Sequence, residues 1–124
     1  MPRRGRGWAT EAGADWRDHH SSLIVSMMEP ALLVLLGKQS RHGYTLIAEL
    51  TKLDMSTIHP SVVYRSLRNM EVLGWIESDW DANQTQGPPR RNYHLTEEGR
   101  KALQYWKAEL NKTNGIILQL LENT

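Results

Sequence analysis

The best evidence for the fold of this chain lies in residues 60–74, PSVVYRSLRNMEVLG. Pro60 suits the first turn of a helix and Gly74 suits the position just after its end, so the stretch predicts one helix. Its apolar positions recur at i, i+4 and i+7, and they are Val63, Leu67 and Met70. Side chains with this spacing share a helix face, and we expect that face to pack into a core.

A second face of the same helix is polar and contains no acid. Its residues recur at i, i+3, i+4 and i+7, and they are Ser61, Tyr64, Arg65 and Arg68. Arginine bonds guanine bidentately or grips phosphate, serine reaches either, and a tyrosine hydroxyl donates to a phosphate oxygen. The two faces predict a helix that packs on its own domain and reads the DNA major groove. For this face alone, a solvated surface is the alternative interpretation.

The elements predicted around this helix favour the reading of DNA. Helices are predicted over residues 15–28, 30–37, 43–53 and 97–122, and strands over residues 75–80 and 90–95. A short turn before the reading helix and a hairpin after it are the marks of a winged helix-turn-helix. The predicted fold class is therefore mainly α with a small β-hairpin: a winged helix-turn-helix over residues 29–95 and a C-terminal helix over residues 96–124, with Thr96 as its N-cap.

The hairpin supplies a second basic element, the predicted wing. Arg90 and Arg91 stand beside its tip, which Pro88 and Pro89 stiffen. Arginine beside DNA enters the minor groove or binds the backbone, so we predict that both arginines contact DNA. A solubilising loop is the alternative, because acids at residues 77, 79 and 81 partly cancel the charge; we assign these acids to the side facing away from DNA.

The last helix predicts a dimer. Its apolar seam advances by steps of 3, 4, 3, 4 and 3 residues, through Leu103, Trp106, Leu110, Thr113, Ile117 and Leu120. A lone helix with this coiled-coil pattern needs a partner. We predict that a second copy of the chain supplies it, with Trp16, Leu23 and Met27 of the N-terminal helix, residues 15–28, in the contact.

Composition bounds the remaining possibilities. The chain has 124 residues, no cysteine and a net charge of +1, which favours one compact domain in a reducing cytoplasm but does not by itself announce a DNA-binding protein. Residues 1–14 carry Arg3, Arg4 and Arg6 without periodicity, so we predict a flexible basic arm there. No apolar run is long enough to span a membrane.

Catalytic and metal-binding patterns are missing from the sequence. The histidines are scattered, at positions 19, 20, 42, 59 and 94, and no nucleophile–base spacing or metal-ligand spacing connects them. We predict no enzyme activity, no metal and no cofactor. His42 and His59 are expected to cap or pack at helix starts.

A combination of short motifs carries a family resemblance. They are His42-Gly43-Tyr44, Pro60-Ser61-Val62-Val63-Tyr64 with Leu67 and Met70-Glu71, Pro89-Arg90-Arg91-Asn92-Tyr93, and Leu95-Thr96-Glu97-Glu98-Gly99. Over about residues 30–103 the chain resembles the PadR family of bacterial and archaeal regulators. The resemblance implies a winged helix with a C-terminal dimerisation helix. It also implies a repressor that binds palindromic operators and releases them on meeting phenolic acids, drugs or other signals.

The resemblance also implies roles for individual residues. Tyr64 matches an aromatic residue that contacts phosphate, Arg91 and Tyr93 match a basic–aromatic pair leaving the wing, and Gly43 matches a glycine that permits close helix packing. Tyr105 and Trp106, on the predicted dimer helix, suggest an effector site, because some relatives hold flat aromatic drugs with tryptophans there; plain interface packing of Trp106 is the alternative.

Three positions depart from the family pattern. His59 stands where a serine cap is usual, Ser61 where glycine is common, and Arg65 where proline is common. The sequence thus predicts a homodimeric, sequence-specific DNA-binding transcriptional regulator, with a winged-helix protein-interaction module that does not bind DNA as the alternative.

Overall fold

The structure is a computed structural model, and it describes residues 23–55, 58–81 and 90–124. Its elements in chain order are α1 (Met28–Lys38), β1 (Arg41–His42), α2 (Gly43–Lys52), α3 (Pro60–Val72), β2 (Ile76–Trp80), β3 (Arg91–Leu95) and α4 (Glu97–Glu122). This order confirms the predicted fold class, a mainly helical winged helix-turn-helix. In the described parts of the chain, no helix is long and apolar enough to cross a membrane.

The sheet has one strand more than the predicted hairpin. Its antiparallel order is β1–β3–β2, with Ile76 opposite Leu95 and Trp80 opposite Arg91 across the hairpin. Strand β1 pairs with the other edge of β3. A strand of two residues is too short to show alternating polarity, and it forms only because β3 offers it a hydrogen-bonding edge.

Helix α1 lies at the centre of the core and contacts α2, α3, α4 and β3. It is apolar on nearly every side, which is typical of a buried helix. The buried apolar side chains are Met28, Leu32, Leu33, Leu35, Leu36, Leu46, Leu50, Ile58, Val63, Leu67, Met70, Ile76 and Tyr93. The predicted stripe of α3 is therefore confirmed as part of the core.

The ends of α1 differ from the prediction. The helix begins at Met28 rather than Pro30, and the proline sits inside the first turn, where its missing N–H costs no intrahelical bond. At the other end, Gly37 does not stop the helix, which continues to Lys38. A Cβ on Gly37 would lie 2.8 Å from Cδ2 of Leu103, so this glycine allows α4 to approach α1.

Helix α4 runs without interruption over 26 residues, and its apolar seam divides into two parts. Leu103 and Trp106 pack against the core of their own chain. Ile117 and Leu120 are exposed, with 46% and 63% of their surface in solvent. Leu23 is also exposed, and Trp16 lies outside the described residues. The role of these residues in a dimer stays a prediction.

Thr96 caps α4 as predicted and also joins it to the end of α3. Its Oγ1 accepts a hydrogen bond from the backbone N–H of Gly99 at 3.0 Å. The same hydroxyl lies 2.6 Å from the carbonyl oxygen of Gly74 and 2.9 Å from that of Trp75, to either of which it donates. Glu97 and Glu98 in the first turn complement the helix dipole.

We expect Thr96→Ala to lower the free energy of unfolding by about 1–2 kcal/mol, because it removes a helix cap. Thr96→Ser is the matched control, since it retains the hydroxyl and should stay close to the parent protein. Urea denaturation followed by circular dichroism measures both. Equal stability of the alanine variant and the parent protein would contradict the assigned cap.

Tyr93 in β3 is the buried phenol of the core, with 6% of its surface exposed. Burial raises the pKa of Tyr93, and the nearby carboxylate of Glu71 raises it further, while Arg91 and Arg68 partly oppose the shift. Since the folded-state pKa lies above the unfolded one, the phenol contributes its full stability below pH of about 10. That contribution is lost as the pH rises through the folded-state pKa.

We therefore expect the stability of the protein to fall above pH of about 10 more steeply than that of Tyr93→Phe, which has no proton to lose there. Urea denaturation between neutral pH and pH of about 11 tests this. Tyr105→Phe removes an exposed phenol and should keep the parent dependence. Parallel pH profiles for the parent and Tyr93→Phe would show that ionisation of Tyr93 is not coupled to folding.

Candidate nucleic-acid interface

The polar face of α3 is exposed as the sequence predicted. Ser61, Tyr64, Arg65 and Arg68 are all accessible to solvent, whereas the apolar stripe on the other side is buried. The helix starts with a histidine cap: Nδ1 of His59 accepts from the backbone N–H of Ser61 at 3.0 Å and lies 2.9 Å from its hydroxyl oxygen. His59 therefore performs the capping role of the serine that is usual there.

Tyr64 packs directly on the start of α2. A Cβ at Gly43 would lie 2.7 Å from Cε1 of Tyr64 and 3.0 Å from its hydroxyl oxygen. The position therefore accepts only glycine without moving the tyrosine ring. Gly43 permits close packing, as the family resemblance implied, and the group that it admits is the aromatic residue of the reading helix.

A cleft of about 370 Å³ connects α3 to the wing. It is lined by Gly43, Tyr44, Tyr64, Arg68, Arg90, Arg91 and Tyr93, so it brings together four of the six predicted DNA-contacting residues. Ser61 and Arg65 belong to the exposed face of α3 and do not line the cleft. Three guanidinium groups and three phenols surround the space with no carboxylate among the lining residues, which suits a phosphate group.

Arg91 is held on the hairpin by two neighbours. Its guanidinium lies 4.5 Å from the centre of the Trp80 ring, and its Nη1 donates to Oγ of Ser78 at 2.8 Å. The Ser78 hydroxyl in turn donates to Oε2 of Glu71 at 2.8 Å. Trp80 is exposed and was not among the predicted DNA contacts. The hairpin register, which places it opposite Arg91, was the available signal.

Arg90 is held by the start of α2. Its Nη1 donates to the hydroxyl oxygen of Tyr44 at 3.0 Å, and its guanidinium lies 4.7 Å from the centre of that ring. Tyr44 is half exposed, and no local pattern connects it with a residue of the wing. Only the fold brings these two residues together.

The acids of the wing occupy the other face of β2. Glu77 and Asp79 alternate with Ser78 and Trp80 and lie opposite His94 and Asn92 of β3. The carboxylate of Glu77 is 3.3 Å from Nε2 of His94. Strand alternation thus separates Glu77 and Asp79 from the face that carries Arg91. Asp81, which the prediction grouped with them, lies beyond β2 and contacts His42 instead; that the wing acids face away from DNA stays a prediction.

Other predicted groups lie apart from the cleft. The rings of Tyr105 and Trp106 meet edge to face, with centroids 6.1 Å apart, and Tyr105 is exposed while Trp106 is half-buried against the core. Pro88, Pro89 and the basic arm of residues 1–14 lie outside the described residues. In the ranges 23–55, 58–81 and 90–124, no group of three or more His, Asp or Glu side chains is arranged to hold a metal ion.

Comparison with known proteins identifies the family. A model of the PadR-like family of transcriptional regulators matches residues 32–105, close to the range of the sequence resemblance. Comparison with curated protein sequences found no match.

Solved structures agree with the family match. A PadR family transcription regulator from Clostridium difficile is 25% identical with a TM-score of 0.66, over 77% of this chain and 98% of that one. A transcriptional regulator from Thermoplasma acidophilum is 26% identical with a TM-score of 0.70, over 82% and 96%. A PadR-like regulator from Bacillus cereus shares the fold, with a TM-score of 0.71, 24% identity, and coverage of 81% and 96%.

The family match spans more than half of the chain and includes α2, α3 and the described part of the wing. The chain therefore belongs to the PadR-like family of transcriptional regulators, which are DNA-binding proteins and not enzymes.

Proposed function

We propose that this protein is a homodimeric repressor that binds a palindromic operator and releases it when an effector binds. The observation that carries the proposal is the surface formed by the polar face of α3 and the cleft beside it. Three arginines line the cleft, and no carboxylate is among its lining residues, although the net charge of the whole chain is only +1. The affinity for DNA then comes from local charge and from the use of two copies.

Each part of the surface has a proposed task. Helix α3 enters the major groove, where Ser61 and Arg65 reach base edges and Arg68 reaches bases or backbone. A backbone phosphate occupies the cleft and accepts hydrogen bonds from the Tyr64 hydroxyl and the guanidinium groups around it. Arg90 and Arg91 contact the minor groove or the backbone beside the wing.

Dimerisation is proposed from the unpaired apolar side chains of α4. Ile117 and Leu120 are exposed although they continue the seam of Leu103, Trp106 and Leu110. Covering one such side chain contributes about 1.5–3 kcal/mol. A second copy, with Trp16, Leu23 and Met27 of its N-terminal segment, would cover this seam. Two-fold symmetry then demands two matching half-sites about one helical turn apart, which is why the operator is proposed to be palindromic.

The proposed division of the chain follows from these tasks. Residues 29–95 form the DNA-binding unit, residues 15–28 and 96–124 form the dimer contact, and residues 1–14 form a basic arm. Because the target is chromosomal DNA, we propose the cytoplasm as the place of action.

Arg65→Ala combined with Arg68→Ala tests the reading helix. Each bidentate contact to a base is worth about 1–3 kcal/mol, so the double variant should bind operator DNA at least about thirtyfold more weakly. Fluorescence anisotropy on the promoter of its own gene, repeated over a salt series, measures the loss, and sedimentation shows whether the dimer is retained. Arg100→Ala with Lys101→Ala is the matched control, because it also removes two cations, and both belong to α4 and do not line the cleft.

The outcomes separate the candidate functions. Saturable binding that weakens steeply with salt supports the regulator. No specific binding at low salt would favour a winged helix that contacts only proteins. Equal affinity of the double variant and the parent would remove the assignment of α3 as the reading helix.

The effector site is proposed at Tyr105 and Trp106. Neither residue lines the apolar groove of about 360 Å³ that is formed in part by Met27, Val34 and Leu110, but Leu110 lies one turn along α4 from Trp106. Aromatic and apolar groups of this kind suit a flat aromatic molecule. Simple packing of Trp106 in the dimer is the competing explanation.

We expect a planar acridine dye to quench the tryptophan fluorescence of the dimer in a saturable manner and to lower its affinity for DNA. Trp106→Phe should lose most of the quenching, because the reporting ring is gone. Trp80→Phe, which alters an exposed tryptophan of the wing, should keep it. Unchanged fluorescence at saturating dye would remove this site from the proposal.

A further inference from the structure

Four side chains form a continuous chain of contacts across the base of the wing, which we name the wing-base chain: Asp81, His42, Tyr44 and Arg90. Nε2 of His42 donates to Oδ2 of Asp81 at 2.9 Å. The His42 ring stacks on the Tyr44 ring, with centroids 5.4 Å apart and planes inclined by 20°. Tyr44 in turn holds Arg90 through its ring and its hydroxyl oxygen.

The wing-base chain joins both ends of the wing to the start of α2. Asp81 directly follows β2 and Arg90 directly precedes β3, and the backbone N–H of Asp81 donates to the carbonyl oxygen of Arg90 at 2.7 Å. His42 and Tyr44 flank Gly43, the first residue of α2. The side chains therefore fix the base of the wing to the helix on which Tyr64 packs.

The contact with Tyr44 has a consequence for Arg90. An arginine side chain has many rotamers, and ordering it against a phosphate costs conformational entropy. Stacking on the Tyr44 ring restricts the guanidinium before DNA arrives. The guanidinium of Arg90 has five N–H donors, and the hydrogen bond to the Tyr44 hydroxyl uses one of them. The others can still reach a ligand in the cleft that Arg90 lines.

We propose that Tyr44 and His42 are positioning residues for DNA binding: they hold Arg90 at the cleft, and Asp81 holds His42. The proposal rests on the proposed binding of DNA at this surface. It assigns to Asp81, a carboxylate beside a DNA-binding wing, a contribution that favours DNA binding. If Asp81 acted only by repelling the phosphates, it would weaken DNA binding instead.

A double-mutant cycle tests whether Tyr44 acts through Arg90. Arg90→Ala should weaken operator binding about tenfold and reduce the slope of log affinity against log salt by about 1. Tyr44→Leu should reproduce most of the loss of affinity but little of the change in slope, because Arg90 keeps its charge. The variant with both changes should bind no more weakly than Arg90→Ala. Effects that simply add, or an unchanged affinity of Tyr44→Leu, would overturn the proposal.

A pair of acid variants provides the second test. Asp81→Ala and Asp79→Ala each remove one negative charge from the wing, two positions apart, and Asp81 is the one that contacts His42. The proposal expects Asp81→Ala to bind operator DNA more weakly than the parent, whereas Asp79→Ala should bind equally or more tightly. Tighter binding by both variants would overturn it.

Two controls keep the failures apart. Circular dichroism and thermal unfolding identify any variant that has lost its fold. If Tyr44→Leu is unstable, the comparison of Asp81→Ala with Asp79→Ala tests the proposal in its place. If Arg90→Ala binds normally while the Arg65 and Arg68 double variant does not, the positioning role is wrong and the proposed function stands. If none of these variants affects binding, the proposed function itself fails.

Discussion

The packing of α1 against the apolar stripe of α3 determines which side of α3 faces solvent, and the proposed DNA-binding surface follows from it. Leu32 and Leu33 are fully buried, and so are Leu67 and Met70 of the facing helix. Each such side chain gains about 1.5–3 kcal/mol by leaving water. Because this free energy of burial holds the apolar side of α3 in the core, the polar side with its arginines faces outward. The proposed DNA contacts all presuppose that orientation.

The pleat of β2 and β3 imposes a second constraint, on the wing. Ser78 and Tyr93 face each other on one side of the pair, and Arg91 continues that side toward the tip with Trp80 opposite it. Arg90, which precedes Arg91 in the chain, is held instead by Tyr44 of α2. Two adjacent arginines therefore receive different supports, one from the hairpin itself and one from a helix, and both line the same cleft.

The chain as a whole is nearly neutral, and the cleft beside α3 brings three of its arginines together. Glu71 accepts a hydrogen bond from Ser78, which holds Arg91, and Asp81 accepts one from His42, which stacks on Tyr44. These two acids thus contact groups that support the arginines of the cleft. Net charge is a poor guide to such a surface, since phosphate responds to the guanidinium groups within about one Debye length.

Elements whose signals are local could be predicted from the amino-acid sequence. The two faces of α3 follow from helical periodicity, and the start of α4 follows from the cap at Thr96, because both depend on residues within a few positions of each other. The short strand β1 and the continuation of α1 through Gly37 were decided by tertiary structure, since each needs a partner surface from elsewhere in the chain. The contact of Tyr44 with Arg90 joins residues 46 positions apart. No local pattern encodes such a pairing, because it exists only after the core has placed α2 beside the sheet.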